Sequence, residues 1–348
     1  MDTPEFRELM RKRTEFSAAC GDEVNRAIPL YEDPTRYPVE DLIALFRLQQ
    51  RMMDTEDPAA RGALKRQFSE MRQAIRPLPD APERVYLWPE GNMPKDTEYR
   101  SDPTWEYDHG PDFLPYYLEM LIPAEVTPVG AIVLIAGGCH GAGTIPDCYQ
   151  IGKEFNALGY QCFILQCRPN GCPWSRYETG ADAARCLRIL RSRAEEYRIA
   201  PNRIAMAGFS NGGVTIDFCI ESFSGDQKVS DKFPDYRPDA LDALPGGPDA
   251  QLSIYGSRHK GTEYDYTGAV YPPTFFAVGR LDPGMENLHA LYPELLARGV
   301  PVEVHTFAGH PHGYAGWKII DGVGHPNFDL WVTHADAFLR DLFCKQDA

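Results

Sequence analysis

Six short apolar runs, Ala131–Ala136, Gln161–Cys167, Arg203–Ala207, Gln251–Tyr255, Thr274–Val278 and Val302–Phe307, are separated by stretches of helical periodicity. Runs of this length are the size of single strands, and near-continuous apolar character marks strands covered on both faces. Such strands alternating with helices specify an α/β fold with a mostly parallel central sheet flanked by helices. Gly180–Tyr197 is the clearest helix, with Leu187, Leu190, Ala194 and Tyr197 on one stripe. Asp182, near its start, suits the helix dipole and is read as structural. Tyr117–Ile122 is a further strand-like piece ahead of the series, and the Asp-, Pro- and Gly-rich segment Ser222–Gly247 reads as an insertion.

The first 80 residues have another texture. Leu42, Leu45, Phe46 and Met53 share one helical face, and Leu64, Phe68, Met71 and Ile75 share another. Amphipathic helices of this kind need a partner surface. The expected organisation is therefore a helical N-terminal extension over 1–80 and an α/β domain over 81–348. The extension would serve as a cap, as a homo-oligomer contact, or as a packing clasp with no functional role.

A formal charge of -15 over 348 residues argues against nucleic-acid partners, whose phosphates it would repel. No stretch approaches the roughly 18 apolar residues of a membrane span. Met1–Phe16 also lacks the hydrophobic stretch of a secretory signal, so a cytoplasmic protein acting on a small molecule is expected. The nine cysteines are odd in number and scattered, which favours free buried thiols. Cys162, Cys167 and Cys172 are spaced unlike any standard zinc site, so no metal is implied.

Gly208-Phe209-Ser210-Asn211-Gly212 follows the apolar run Ile204–Ala207 and precedes a helix-compatible stretch. This is the pattern of a nucleophile elbow, in which a tight strand-to-helix turn lifts a serine hydroxyl clear of the backbone. Glycines flank it because strand and helix approach too closely for side chains. Attack on an acyl carbon also needs a base, a carboxylate that orients the base, and donors for the developing oxyanion.

For the base, Gly309-His310-Pro311-His312-Gly313-Tyr314 follows the last apolar run. His312 is favoured, because Gly313 lets the loop bend inward whereas His310 is restricted by the following proline. His310 is read as a pocket wall and His305, inside the strand, as a packed residue. His140, His289 and His334 have no local partner that singles them out. For the carboxylate, Asp282 ends the run Thr274–Val278 and falls between serine and histidine in chain order. Its competing role is a helix cap ahead of Met285–Arg298. Asp321 and Asp329 follow the histidine and fit less well. The oxyanion donors are expected to be the amide of Asn211 and those of Gly138 and Cys139, in the turn Ala136-Gly137-Gly138-Cys139-His140. Phosphate cradling by that turn is disfavoured because no P-loop lysine follows it.

With these residues in view, the chain from about Val85 onward resembles the α/β-hydrolase superfamily, and within it the acetyl xylan esterase-like and feruloyl esterase-like branch. Leu87-Trp88-Pro89-Glu90-Gly91 is similar to that branch's entry strand, and the Gly137-Gly138 turn stands where those enzymes carry Pro-Gly-Gly-Gly-Tyr. Arg168 matches an arginine after the strand, and Glu303–Phe307 leading to His312-Gly313-Tyr314 is similar to the family's ending. Two departures are Cys139, where the family has glycine, and His140, where it has an aromatic residue. The helical first 80 residues lie outside the usual domain.

The resemblance and the residues together lead to a serine carboxylic-ester hydrolase working through an acyl-enzyme, with no cofactor. Ser210, His312 and Asp282 are expected to form the catalytic triad, and Asn211, Gly138 and Cys139 the oxyanion hole. Phe209, His140, His310, Tyr314 and Trp317 are expected to line the substrate pocket, which suits a short-acyl carbohydrate ester or an aryl ester. The alternatives are a prolyl oligopeptidase-like serine peptidase and a hydrolase-fold binding protein without chemistry. The first is disfavoured because the N-terminal region is too short and too helical for a β-propeller.

Overall fold

All six apolar runs form strands. The protein is seen in a computed structural model that describes residues 4–95, 112–138, 143–169, 175–256 and 265–344. Its strands are β1 (Val85–Tyr86), β2 (Tyr116–Met120), β3 (Ala131–Ile135), β4 (Gln161–Gln166), β5 (Ile204–Phe209), β6 (Ala250–Ile254), β7 (Thr274–Gly279) and β8 (Val302–Phe307). They build one eight-stranded sheet in the order β1-β2-β4-β3-β5-β6-β7-β8. Strands β3 to β8 run parallel, while β2 is antiparallel to β4 and β1 antiparallel to β2. Every residue of β3 through β7 is buried. That two-sided burial explains why those stretches read as unbroken apolar runs rather than as an alternation.

The helices are α1 (Pro4–Asn25), α2 (Ile28–Tyr31), α3 (Val39–Asp54), α4 (Pro58–Ala74), α5 (Ile151–Ala157), α6 (Arg176–Ser192), α7 (Asn211–Phe223), α8 (Val229–Lys232), α9 (Gly284–Ala297), α10 (Lys318–Asp321) and α11 (Pro326–Cys344). A π-helical turn at Thr144–Gln150 leads into α5. Helix α6 starts earlier than its apolar stripe suggests, at a capping box in which the Ser175 hydroxyl and the Glu178 carboxylate satisfy each other's backbone amides. Asp182 is structural for a stronger reason than the dipole. Its buried carboxylate accepts hydrogen bonds from the Arg168 backbone amide at 2.9 Å, from the Arg168 guanidinium at 2.9 and 2.7 Å, and from Trp88 Nε1 at 2.7 Å. Entry strand, β4 and α6 are thus tied together through one carboxylate. Cys20, Cys148, Cys162, Cys167, Cys186 and Cys219 are buried free thiols, and Cys344 is exposed. Cys139 and Cys172 lie outside the described residues.

The N-terminal helices build a second apolar cluster. Pro58 at the first position of α4 and the Asp57 carboxylate accepting from the Ala60 amide at 2.8 Å start that helix sharply. Leu42, Leu45 and Phe46 of α3 and Phe68 of α4 are buried as their spacing predicts. Their partner surface is Ile145 of the π-helical turn and Ile320 of α10, with Trp317 and Ile319 packed alongside. Arg47 Nε donates to the Ile320 carbonyl at 2.6 Å and pins α3 to that segment. Among the described residues no helix is long and apolar enough to cross a membrane.

Candidate active site

Parallel strands end on the same edge of a sheet, so the segments after β3, β5, β7 and β8 share the carboxyl edge, where α/β folds bind ligands. Ser210 follows β5, Asp282 follows β7 and His312 follows β8. The structure brings the three side chains into hydrogen-bonding contact. His312 Nε2 lies 2.7 Å from Ser210 Oγ, and His312 Nδ1 lies 2.9 and 3.0 Å from the two Asp282 oxygens. The Asp282 side chain is fully buried, whereas that of His312 is 38 % exposed.

Ser210 adopts φ 51° and ψ -115°, a conformation rare for a residue with a side chain. The glycines on either side have steric causes. A Cβ on Gly208 would lie 2.5 Å from the Gly213 amide nitrogen, and one on Gly212 would overlap the Ile135 carbonyl and come within 2.9 Å of that of Ala136. The elbow is therefore wedged between β5, α7 and the end of β3.

The Asp282 carboxylate has two partners at once. The Gly284 amide donates to Asp282 Oδ1 at 2.6 Å, which fixes the carboxylate at the start of α9 while it faces His312. A carboxylate on Nδ1 selects the tautomer that leaves Nε2 to accept the serine proton.

Asn211 opens α7, at the positive end of the helix macrodipole. Gly138 has φ 61°, the left-handed geometry that a tight turn of backbone amides requires. Gly137 is not a free donor, because its amide donates to the Asp147 carboxylate at 3.0 Å. Cys139 and His140 lie outside the described residues.

The wall residues divide. His310 and Tyr314 lie in the His312 loop with ring centroids 5.9 Å apart, and His325 sits 4.1 Å from the Tyr314 ring. Phe209 was expected in the pocket but is fully buried in the core, 5.9 Å from Trp331 and 6.2 Å from Tyr255 between ring centroids. As the last residue of β5, it points to the sheet face that α11 covers. Trp317 turns instead to the N-terminal helices, its ring centroid 6.1 Å from that of Phe46. His305 is packed, stacked on His334 at 4.2 Å and paired with Glu303 at 2.6 Å.

Two residues that pattern reasoning did not single out sit against the site. Tyr255, just after β6, has its ring 5.1 Å from the His312 imidazole, and its hydroxyl donates to Asp147 at 3.1 Å. Asp147 is buried, and burial pushes its carboxyl up to about 6.

No protein-family model matches the chain, and a comparison with curated proteins finds no match. Solved structures do match. The acetyl ester-xyloside bifunctional hydrolase of Caldicellulosiruptor lactoaceticus is similar at 20 % identity and TM-score 0.55, over 75 % of this chain and 96 % of the other. Esterase 2 of Thermogutta terrifontis phosphorylated by paraoxon is similar at 19 % identity and TM-score 0.54, over 76 % and 96 %. MGS-M1, an α/β-hydrolase enzyme from a Medee basin deep-sea metagenome library, is similar at 17 % identity and TM-score 0.51, over 75 % and 97 %. The strand order and these neighbours define the α/β-hydrolase fold, carried here with a helical N-terminal region.

Proposed function

We propose that this chain is a serine carboxylic-ester hydrolase that works through an acyl-enzyme. The observation that carries the proposal is the continuous hydrogen-bonded relay from Ser210 through His312 to Asp282. His312 Nε2 removes the proton from Ser210 Oγ as the oxygen attacks the ester carbonyl, and Asp282 stabilises the imidazolium that forms. Among the described residues, the amides of Asn211 and Gly138 are the donors for the oxyanion. His312 then gives its proton to the leaving alkoxide, and water repeats the sequence in reverse to free the acid and restore Ser210.

A short-acyl ester, with acetylated carbohydrate or aryl acetate as the two substrate classes, fits a site walled by His310 and Tyr314. The acetyl ester-xyloside hydrolase among the structural neighbours supports the same choice. Ser210→Ala is expected to abolish turnover of p-nitrophenyl acetate while the circular dichroism spectrum is unchanged. An organophosphonate should add to Ser210 and to no other residue on mass mapping. Unchanged turnover in Ser210→Ala, or no adduct on wild-type protein, removes Ser210 from the chemistry. An acyl-chain series should show acetate and propionate esters cleaved faster than octanoate, and the opposite order rules out the short-acyl assignment.

A further inference from the structure

We infer that Asp147 is a positioning residue that holds the oxyanion turn in register with the loop carrying His312, an inference that rests on the hydrolase reading above. Asp147 lies in the π-helical turn after β3, and such turns are concentrated at functional sites. Its two oxygens serve two different loops. Oδ2 accepts from the Gly137 amide at 3.0 Å, on the turn that leads to Gly138. Oδ1 accepts from the Tyr255 hydroxyl at 3.1 Å. That hydroxyl oxygen in turn accepts from the Ala315 amide at 3.3 Å, three residues after His312. The Tyr255 ring meets the imidazole edge-on, with planes 66° apart.

The surroundings leave little slack. A Cβ on Gly137 would lie 3.1 Å from the Ser210 Cβ, so the turn bears directly on the nucleophile. One on Gly316 would overlap the Pro146 carbonyl, which places the histidine loop against the residue preceding Asp147. Tyr255 has φ 39°, a left-handed conformation that a large aromatic residue adopts only where its surroundings enforce it. Strain at both Ser210 and Tyr255, at the ends of adjacent strands, marks this edge as built for geometry rather than for stability.

The ionised carboxylate accepts from both sides with full charge. A proton on Oδ2 would oppose the Gly137 amide, and one on Oδ1 would reverse the bond to Tyr255, so protonation weakens the bridge. The titratable groups facing Asp147 are His312, whose positive charge favours the anion, Tyr255, and Cys148, whose thiol is held neutral by burial. The anion is thus aligned to support the imidazolium that forms when His312 takes the serine proton. Its loss should weaken the rate and leave substrate binding nearly intact.

The test compares wild type, Asp147→Asn and Tyr255→Phe in p-nitrophenyl acetate turnover and organophosphonate labelling between pH 5 and 9. Asp147→Asn is expected to lower kcat about 10- to 100-fold with KM within about threefold, the size expected from misplacing reacting groups by an ångström or less. The acid limb of its kcat/KM profile should fall with one proton fewer than that of wild type, an effect a purely structural residue would not produce. Tyr255→Phe keeps the ring and loses the bridge, so it should move kcat in the same direction, and it carries the test if Asp147→Asn does not fold. Active wild type with both variants within threefold in kcat and with the same acid limb overturns the positioning role alone. Wild type inert toward ester and phosphonate overturns the hydrolase reading and this inference with it.

Discussion

Ser210→Gly and Ser210→Ala remove the same hydroxyl and the same hydrogen bond to His312, so their difference isolates the backbone of the elbow. At φ 51° and ψ -115°, a residue with a Cβ is held in a sparsely populated region at a cost of about 1–3 kcal/mol. Alanine keeps that strain and glycine releases it. Against the release stands the looser unfolded chain of the glycine variant, about 0.4–1 kcal/mol. The glycine variant is therefore expected to be the more stable of the two by about 0.5–2 kcal/mol. Urea unfolding followed by circular dichroism reads the difference directly, provided both variants give the same slope. Neither should form a phosphonate adduct. Equal midpoints, or a higher one for the alanine variant, would show that the turn stores no strain and that the hydroxyl is presented at no cost to the fold.

Asp282→Asn keeps an oxygen for the Gly284 amide, so the start of α9 should survive while kcat falls by about 10⁴-fold, because the imidazole loses the carboxylate that fixes its tautomer. A loss below tenfold in steady-state turnover would remove Asp282 from the relay. Gly212→Ala forces a Cβ into the Ile135 carbonyl and is expected to cost more than about 3 kcal/mol, read as loss of soluble protein or a large drop in the unfolding midpoint. Arg47→Ala cuts the bond from α3 to the Ile320 carbonyl and should lower stability by about 0.5–1.5 kcal/mol in the same unfolding assay. The Asp147 carboxyl, raised in the folded protein to about 6 from an ordinary 3.8, binds its proton more readily folded than unfolded. Its contribution is thus fully present below about pH 4 and is lost as pH rises through 6, a change on the order of 3 kcal/mol. Wild type should therefore gain stability relative to Asp147→Asn as the pH falls from 7 to 4, and parallel pH profiles of the two midpoints would refute the assignment.

What could be read from the chain was whatever is local or ordered along it. Strands β3 to β7 announced themselves through two-sided burial, and the elbow through a pentapeptide in which Gly208 is set by the nearby Gly213 while Gly212 is set by the distant Ile135 carbonyl. Chain order alone then placed an acid and a histidine after the right strands. Misreadings arose where sequence neighbours point in opposite directions. Phe209 adjoins Ser210, yet strand alternation turns its ring into the core toward Trp331. Others arose where the partner is far away in sequence. Trp317 is expected in the pocket with His310 and Tyr314, but its ring meets Phe46, and nothing local encodes the docking of α3. Asp182 is structural as its position suggests, but its donors Arg168 and Trp88, like the donors Gly137 and Tyr255 of Asp147, come from separate segments and leave no local signal.

These distant contacts share a physical purpose at the carboxyl edge. A loop at a strand end is inherently the mobile part of an α/β fold, whereas a proton relay with bonds of 2.7 and 2.9 Å tolerates little displacement. Each loop here has its own anchor outside the relay. Asp282 is fixed by the Gly284 amide, and the turn after β3 by the buried Asp147. The segment after His312 is held on one side by Tyr255 through Ala315 and on the other by Arg47 and the apolar cluster of the N-terminal helices. The N-terminal helices therefore reach the proposed chemistry through the His312 loop: their face closes over Ile145, Trp317 and Ile320, residues that flank Asp147 on one side and follow Ala315 on the other. Loosening α3 should then cost stability first, and should slow the reaction only insofar as the segment from Ala315 to Ile320 is released from its two supports.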